Sequence, residues 1–218
     1  MGTITRSFAN NITTSGVLLP ASLNNNSIVN VTSYNASVAT GGMKLISSQT
    51  ASNSASISFT TGIDSTYKEY QFWFVDIHPA TDGVNFTFQT STDSGSNYGV
   101  TLTSTAFIAY HNEAGTDTGL VYYPSRDLAQ STSFQPLCSS IGNDNDQSGI
   151  GTLNLFNPSS TTYVKHFISN TCTYTGGDYN ENIFYGGYFN TTSAINAVQF
   201  KMSSGNIDTG TILMYGIV

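Results

Sequence analysis

Hydrophobic and polar positions alternate strictly in VNFTFQT, where Val84, Phe86 and Phe88 fall on one side and Asn85, Thr87 and Gln89 on the other. A period of two is that of a β-strand with one buried face. Just ahead of it, YQFWFVDI (70–77) is aromatic or aliphatic on both faces, as in a strand at the middle of a sandwich or at an oligomer contact. The intervening HPATDG carries Pro79 and the Asp82-Gly83 pair, both turn formers, and predicts that the two strands form a hairpin. GTLNLFNPSSTTYVKHFIS, with Pro158 in its turn, predicts a second hairpin, and NAVQFKMSSGNIDTGTILMYGIV a third at the C-terminal end. ASISFT, AFIAYH, GLVYY and IFYGGYF add further strands. About ten regularly spaced strands, with no long stretch of helical period, predict an all-β fold: a jelly-roll-like antiparallel β-sandwich.

The pattern changes toward the N-terminus. ANNITTSGVLLPASLNNNSIVNVTSYNASVATGG alternates short apolar pairs with polar turns and has almost no aromatic content. Such a segment buries too little surface to fold alone. Residues 1–45 are therefore expected to be an extended attachment arm lying against a neighbouring copy or a larger assembly, and 46–218 the β-sandwich head. A disordered tail is the alternative. Phe8, Val17, Leu18 and Leu19, with Ile4 and Arg6, are the arm residues expected to dock, because the apolar ones are costly to leave in water.

Composition narrows the setting. Charged residues make up only 9% of the 218, against the ~25% of an ordinary soluble domain. Ser, Thr, Asn and Gly supply the polarity instead, as is common in extracellular, surface and virion proteins. A net charge of −7, with six Lys and Arg in total, argues against direct binding of nucleic acid, which needs a basic face. No apolar run approaches the ~18 residues of a membrane helix. MGTITRSFANNITTSG has no apolar core or cleavage site, and Arg6 breaks the myristoylation pattern. The expected origin is the cytoplasm. A surface-like composition without an export signal fits a virus assembled there and released by lysis. In that compartment Cys138 and Cys172 are expected to be free, partly buried thiols rather than a disulfide.

Candidate chemistry is sparse. Asp76 and His78 could form a base and its orienting carboxylate, but no nucleophile motif such as G-x-S-x-G accompanies them. The mid-strand Trp73 is read as a packed core or interface residue rather than a sugar platform. In GNDNDQSGIG, Asp144, Asp146 and Ser148 followed by Gly149 copy the first half of a calcium loop, but Leu155 stands where the closing bidentate Glu belongs. An ordinary turn is the expectation there, with a loose calcium site as the alternative. No catalytic residue and no cofactor are expected. Paired glycosidase carboxylates are disfavoured by the small number of acids, 13, placed mostly in turns.

Three stretches carry a resemblance. MGTITRSFANNIT, STYKEYQFWFVDIHPATDGVNFTFQTSTDSGSNY and FNTTSAINAVQFKMSSGNIDTGTILMYGI resemble virion structural proteins, of fibre or decoration type, of marine tailed phages, including those infecting cyanobacteria. The resemblance covers most of the chain. It implies an attachment module at the N-terminus, a jelly-roll head, and a place on the particle at the capsid, a head fibre or the tail. It brings no catalytic residues. Low charge, a dependent arm and a compact head together suggest a homotrimer held by other virion proteins. A carbohydrate-binding module for host-surface glycan is the alternative, requiring exposed aromatics. A polysaccharide-degrading enzyme would require two carboxylates at a cleft.

Overall fold

A computed structural model describes residues 42–218. The arm residues Ile4, Arg6, Phe8, Val17, Leu18 and Leu19 lie outside the described residues. Twelve strands follow one another: β1 (Met43–Thr50), β2 (Ile57–Phe59), β3 (Glu69–Pro79), β4 (Val84–Ser91), β5 (Leu102–Asn112), β6 (Thr118–Tyr122), β7 (Gln135–Ile141), β8 (Gly149–Phe156), β9 (Lys165–Tyr174), β10 (Tyr179–Phe189), β11 (Ala197–Met202) and β12 (Ile207–Ile217). No helix occurs among the described residues. β1 starts at Met43, so the folded unit begins ahead of the expected boundary at 46.

The strands form two antiparallel sheets, a sandwich of the all-β, jelly-roll-like class that the alternation predicts. The larger has eight strands in the order β1-β12-β3-β8-β9-β10-β5-β6, and the smaller four in the order β2-β11-β4-β7. Phenylalanines fill the space between them. Phe200 on β11 is the hub: its ring centroid lies 5.3 Å from Phe72, 5.3 Å from Phe74, 5.7 Å from Phe86, 6.2 Å from Phe59 and 6.3 Å from Phe88. Lys165 is also wholly buried, its Nζ donating to the carbonyls of Tyr163 (2.8 Å) and Thr191 (3.1 Å), and desolvation holds its ammonium below the usual lysine range.

Two of the three expected hairpins are corrected. β8 and β9 do pair, from Gly149↔Thr173 to Leu155↔Phe167. β3 and β4, however, belong to different sheets, and so do β11 and β12. The chain rounds the corner of the sandwich at 80–83 and again at 203–206. Phe74 on β3 meets Phe86 on β4 through the core, ring centroids 5.2 Å apart, rather than pairing along an edge.

Candidate functional site

Both sequence-level candidates for chemistry arrive at one place, the rim of the sandwich where β3 ends, β12 begins and the β7–β8 loop crosses. β3 is regular up to Phe74 and then bulges, its pairing with β8 resuming only at Ile77. Asp76 takes a φ of +50° at the bulge, and Gly210 on the facing β12 a φ of +123°. A Cβ at Gly210 would lie 2.7 Å from the Asp76 carbonyl oxygen and 2.9 Å from Ile77 Cα, so only glycine lets the two backbones approach. The irregularity brings Asp76 and His78 to a cleft of about 470 Å³, shared with Asp146, Ser148 and Asp208.

His78 is held by this frame. Its Nε2 lies 3.2 Å from the carbonyl oxygen of Asp144, and its Nδ1 3.7 Å from Asp208 Oδ2. Nε2–H donates to the carbonyl, while Nδ1 is out of solvent without a hydrogen-bond partner, so neither nitrogen faces a substrate. No hydroxyl is bonded to the ring, so a nucleophile–base pair is not assembled. The loop is a tight turn. Gln147 N donates to Asp144 O (2.9 Å), Asp144 N donates to Gln147 Oε1 (3.2 Å), and Gln147 Nε2 reaches Thr175 O (3.4 Å). Asp146 and Ser148 line the cleft, whereas Asp144 presents its backbone carbonyl to His78. Among the described residues, no three His, Cys, Asp or Glu side chains are grouped so as to hold a metal ion. The cleft can donate and accept hydrogen bonds, with acids predominating.

The larger feature is the outer face of the eight-stranded sheet. Trp73 is not in the core. Phe72 and Phe74 point inward, which turns Trp73 and Val75 out to 38% and 40% exposure. Trp73 leans on Tyr215 at 5.2 Å, and its indole N–H donates to Gln71 Oε1 (2.7 Å). Beside it Val75, Ile150 and Thr152 line a shallow apolar depression of about 350 Å³. Cross-strand register carries the row onward from Trp73 through Thr152, Asn170 and Phe184 to Phe107 and Tyr122. Phe107 and Phe184 stack at 4.8 Å with both rings partly in solvent. Amides occupy the gaps: Asn182 Nδ2 donates to Asn170 Oδ1 (3.2 Å), and Asn154 Nδ2 to Glu69 Oε1 (2.5 Å). Along the middle of the face no Lys, Arg, Asp or Glu intervenes.

The thiols sit on opposite sides of this sheet and are unbridged, in line with the expectation. Cys138 is buried in the core, which pushes its pKa up to about 11, while Cys172 is on the outer face with Sγ 3.0 Å from Asn180 Oδ1. The apolar doubling of YQFWFVDI was one sequence signal for the outer face, and consecutive apolar residues in AFIAYH and IFYGGYF, which place Phe107 and Phe184 there, were another that went unread.

No family model, no curated protein and no solved structure matches the chain.

Proposed function

We propose that the chain is an accessory structural protein of a phage virion, a capsid decoration, head-fibre or tail-fibre component assembled in the host cytoplasm. Residues 1–45 attach it to the particle, and the β-head projects outward as part of a homotrimer. The observation that carries this reading is the outer face of the large sheet, rich in exposed aromatic and aliphatic side chains, free of charge along its middle, and uncovered by any of the described residues. Depletion of charge with enrichment in aromatics is the composition of an interface core. Fully burying one large apolar side chain contributes ~1.5–3 kcal/mol, and this face offers several together. The resemblance to virion proteins and the surface-like composition support the same reading, and the cleft's His78, tied through Nε2 to the Asp144 carbonyl, gives no support to a hydrolase. Light scattering of the full-length chain is expected to report three copies. A monomer at micromolar concentration would overturn the trimer.

A second reading, a module binding host-surface glycan, draws on Trp73 and Tyr215 flanked by the amides of Gln71, Asn154 and Asn170, because sugars stack on aromatic rings and bond to amides. The aliphatic neighbours Val75, Ile150 and Ile168 favour a protein partner over a sugar. Glycan-array binding that is lost in Trp73→Ala, with the chain still monomeric, would reverse that preference.

A further inference from the structure

A separate pocket of about 180 Å³ lies on the inner side of the large sheet, where β10, β5 and β6 extend beyond the cover of the smaller one. Its lining is Ile108 and Tyr110 from β5, Val121 from β6, Tyr123 just past β6, and Tyr179 and Glu181 from β10. Register gathers them: Glu181 pairs with Tyr110 across β10–β5, and Ile108 with Val121 across β5–β6.

Each aromatic wall is fixed. Tyr179 Oη donates to Asp117 Oδ2 (2.9 Å), and the Tyr110 and Tyr179 rings stand 6.1 Å apart at 58°. Tyr110 lies across Gly119, where an added Cβ would come within 2.8 Å of its hydroxyl. Tyr123 already bears one cation, the Arg126 guanidinium at 5.3 Å from its centroid, which is tied by Nε to Ser139 Oγ (2.6 Å). The carboxylate is the group without company. Glu181 Oε2 is out of solvent with no hydrogen-bond partner. Desolvation pushes this carboxyl above the usual range, with Arg126 opposing only in part, and no cation lies within ion-pair distance of it among the described residues. Thr173, directly across β9 and 1% exposed, also holds an unpartnered hydroxyl.

We propose that this pocket binds an alkylammonium group, with the tyrosine rings and the Glu181 carboxylate recognising its charge and Ile108 and Val121 packing its methyl or methylene groups. Ring quadrupoles attract cations most strongly where water is excluded. An anion would meet Glu181, and a neutral apolar guest would leave its carboxylate without a counter-charge. The volume, below the ~300–1,000 Å³ of drug-sized sites, limits the guest to a small head group. The pocket is on the inner side of the sheet, so the outcome does not depend on whether the outer face packs against another copy.

The test uses the full-length chain, with choline chloride and its neutral carbon isostere 3,3-dimethyl-1-butanol as probes, read by calorimetry and by the ring signals of labelled tyrosine. Choline is expected to bind saturably and to shift Tyr110, Tyr123 and Tyr179, with the isostere at least about tenfold weaker, a difference of about 1.4 kcal/mol. Glu181→Gln should weaken choline by a similar factor and leave the isostere unchanged. Should that variant misfold by circular dichroism, Tyr179→Leu removes one wall instead and is expected to weaken choline severalfold. Absence of saturable choline binding in the tens-of-millimolar range, equal affinity for the two probes, or full affinity in the folded variants would each overturn the proposal.

Discussion

At the scale of the residue, the core depends on one side chain more than any other. Phe200, on β11, lies against five rings from three strands, β2, β3 and β4, drawn from both sheets, so the cavity left by its removal cannot be closed by a single local shift. Phe200→Ala is expected to destabilise the head by ~3–5 kcal/mol, measured by urea denaturation. Asp93 shows a polar counterpart at the surface. Its carboxylate accepts from Ser91 Oγ (2.5 Å), Asn97 N (2.9 Å) and Asn97 Nδ2 (2.7 Å), and these bonds lower its pKa from 3.8 to about 2. A carboxyl whose folded pKa is depressed contributes stability above its unfolded value and loses it as pH falls toward the folded one. The 91–97 loop should therefore stay ordered at neutral pH and loosen between about pH 4 and 2, read as faster amide exchange at Gly95 and Asn97. In Asp93→Asn that transition should disappear, the exchange being already fast at neutral pH.

At the scale of the element, strands were legible and their partners were not. The alternation in VNFTFQT gives β4 almost residue for residue, because its apolar face packs in the core. The polar face, expected in solvent, is covered as well, Thr87 and Gln89 being buried and bonded to the carbonyls of Lys201, Thr132 and Ser133. Pro79 and Asp82-Gly83 mark a reversal correctly, but turn chemistry records only that the chain reverses, not whether the next strand joins the same sheet. Hence β3–β4 and β11–β12 read as hairpins and fold as corners. β7 was missed because QPLCSSI holds a proline and short polar residues, tolerable on an edge strand of the smaller sheet and invisible to a hydrophobic pattern. The candidate sites suffered similarly. Nothing in YQFWFVDI says which of its two apolar faces is inside, and the pocket around Glu181 joins residues more than 70 apart in sequence. The bulge facing Gly210 supplies this scale's prediction. Gly210→Ala places a methyl group against the backbone of Asp76 and Ile77 at a φ that L-residues rarely adopt, and is expected to cost ~1–3 kcal/mol. It should also shift the imidazole signals of His78, because the bulge positions that ring. A variant as stable as the parent, with unmoved His78 signals, would mean that the bulge relaxes freely.

At the scale of the whole molecule, the question is what covers the outer face of the large sheet, and Cys172 is placed to report it. It pairs with Ile150 across β8–β9 and so stands among the exposed apolar residues, while Cys138 is sealed in the core. If copies pack through this face, the trimer should shield Cys172 from a thiol reagent under native conditions, and Cys138 should react only after unfolding. Trp73→Asp puts a charge where burial would strip its water, which an interface core does not tolerate but a solvent-facing position does. The variant is therefore expected to be monomeric by light scattering, to keep the circular dichroism of the parent, and to react at Cys172 at least about tenfold faster, since labelling follows exposure of the thiol. Truncation gives the complementary arm, and it should remove residues 1–41 rather than 1–45, because β1 pairs with β12 from Met43↔Ile217 onward. The truncated head should still fold and still protect Cys172, since the face lies wholly within 42–218, but it should fail to join particles. Rapid Cys172 labelling in the full-length parent, unchanged by Trp73→Asp, would show that this face is open to solvent and that the copies meet elsewhere or not at all.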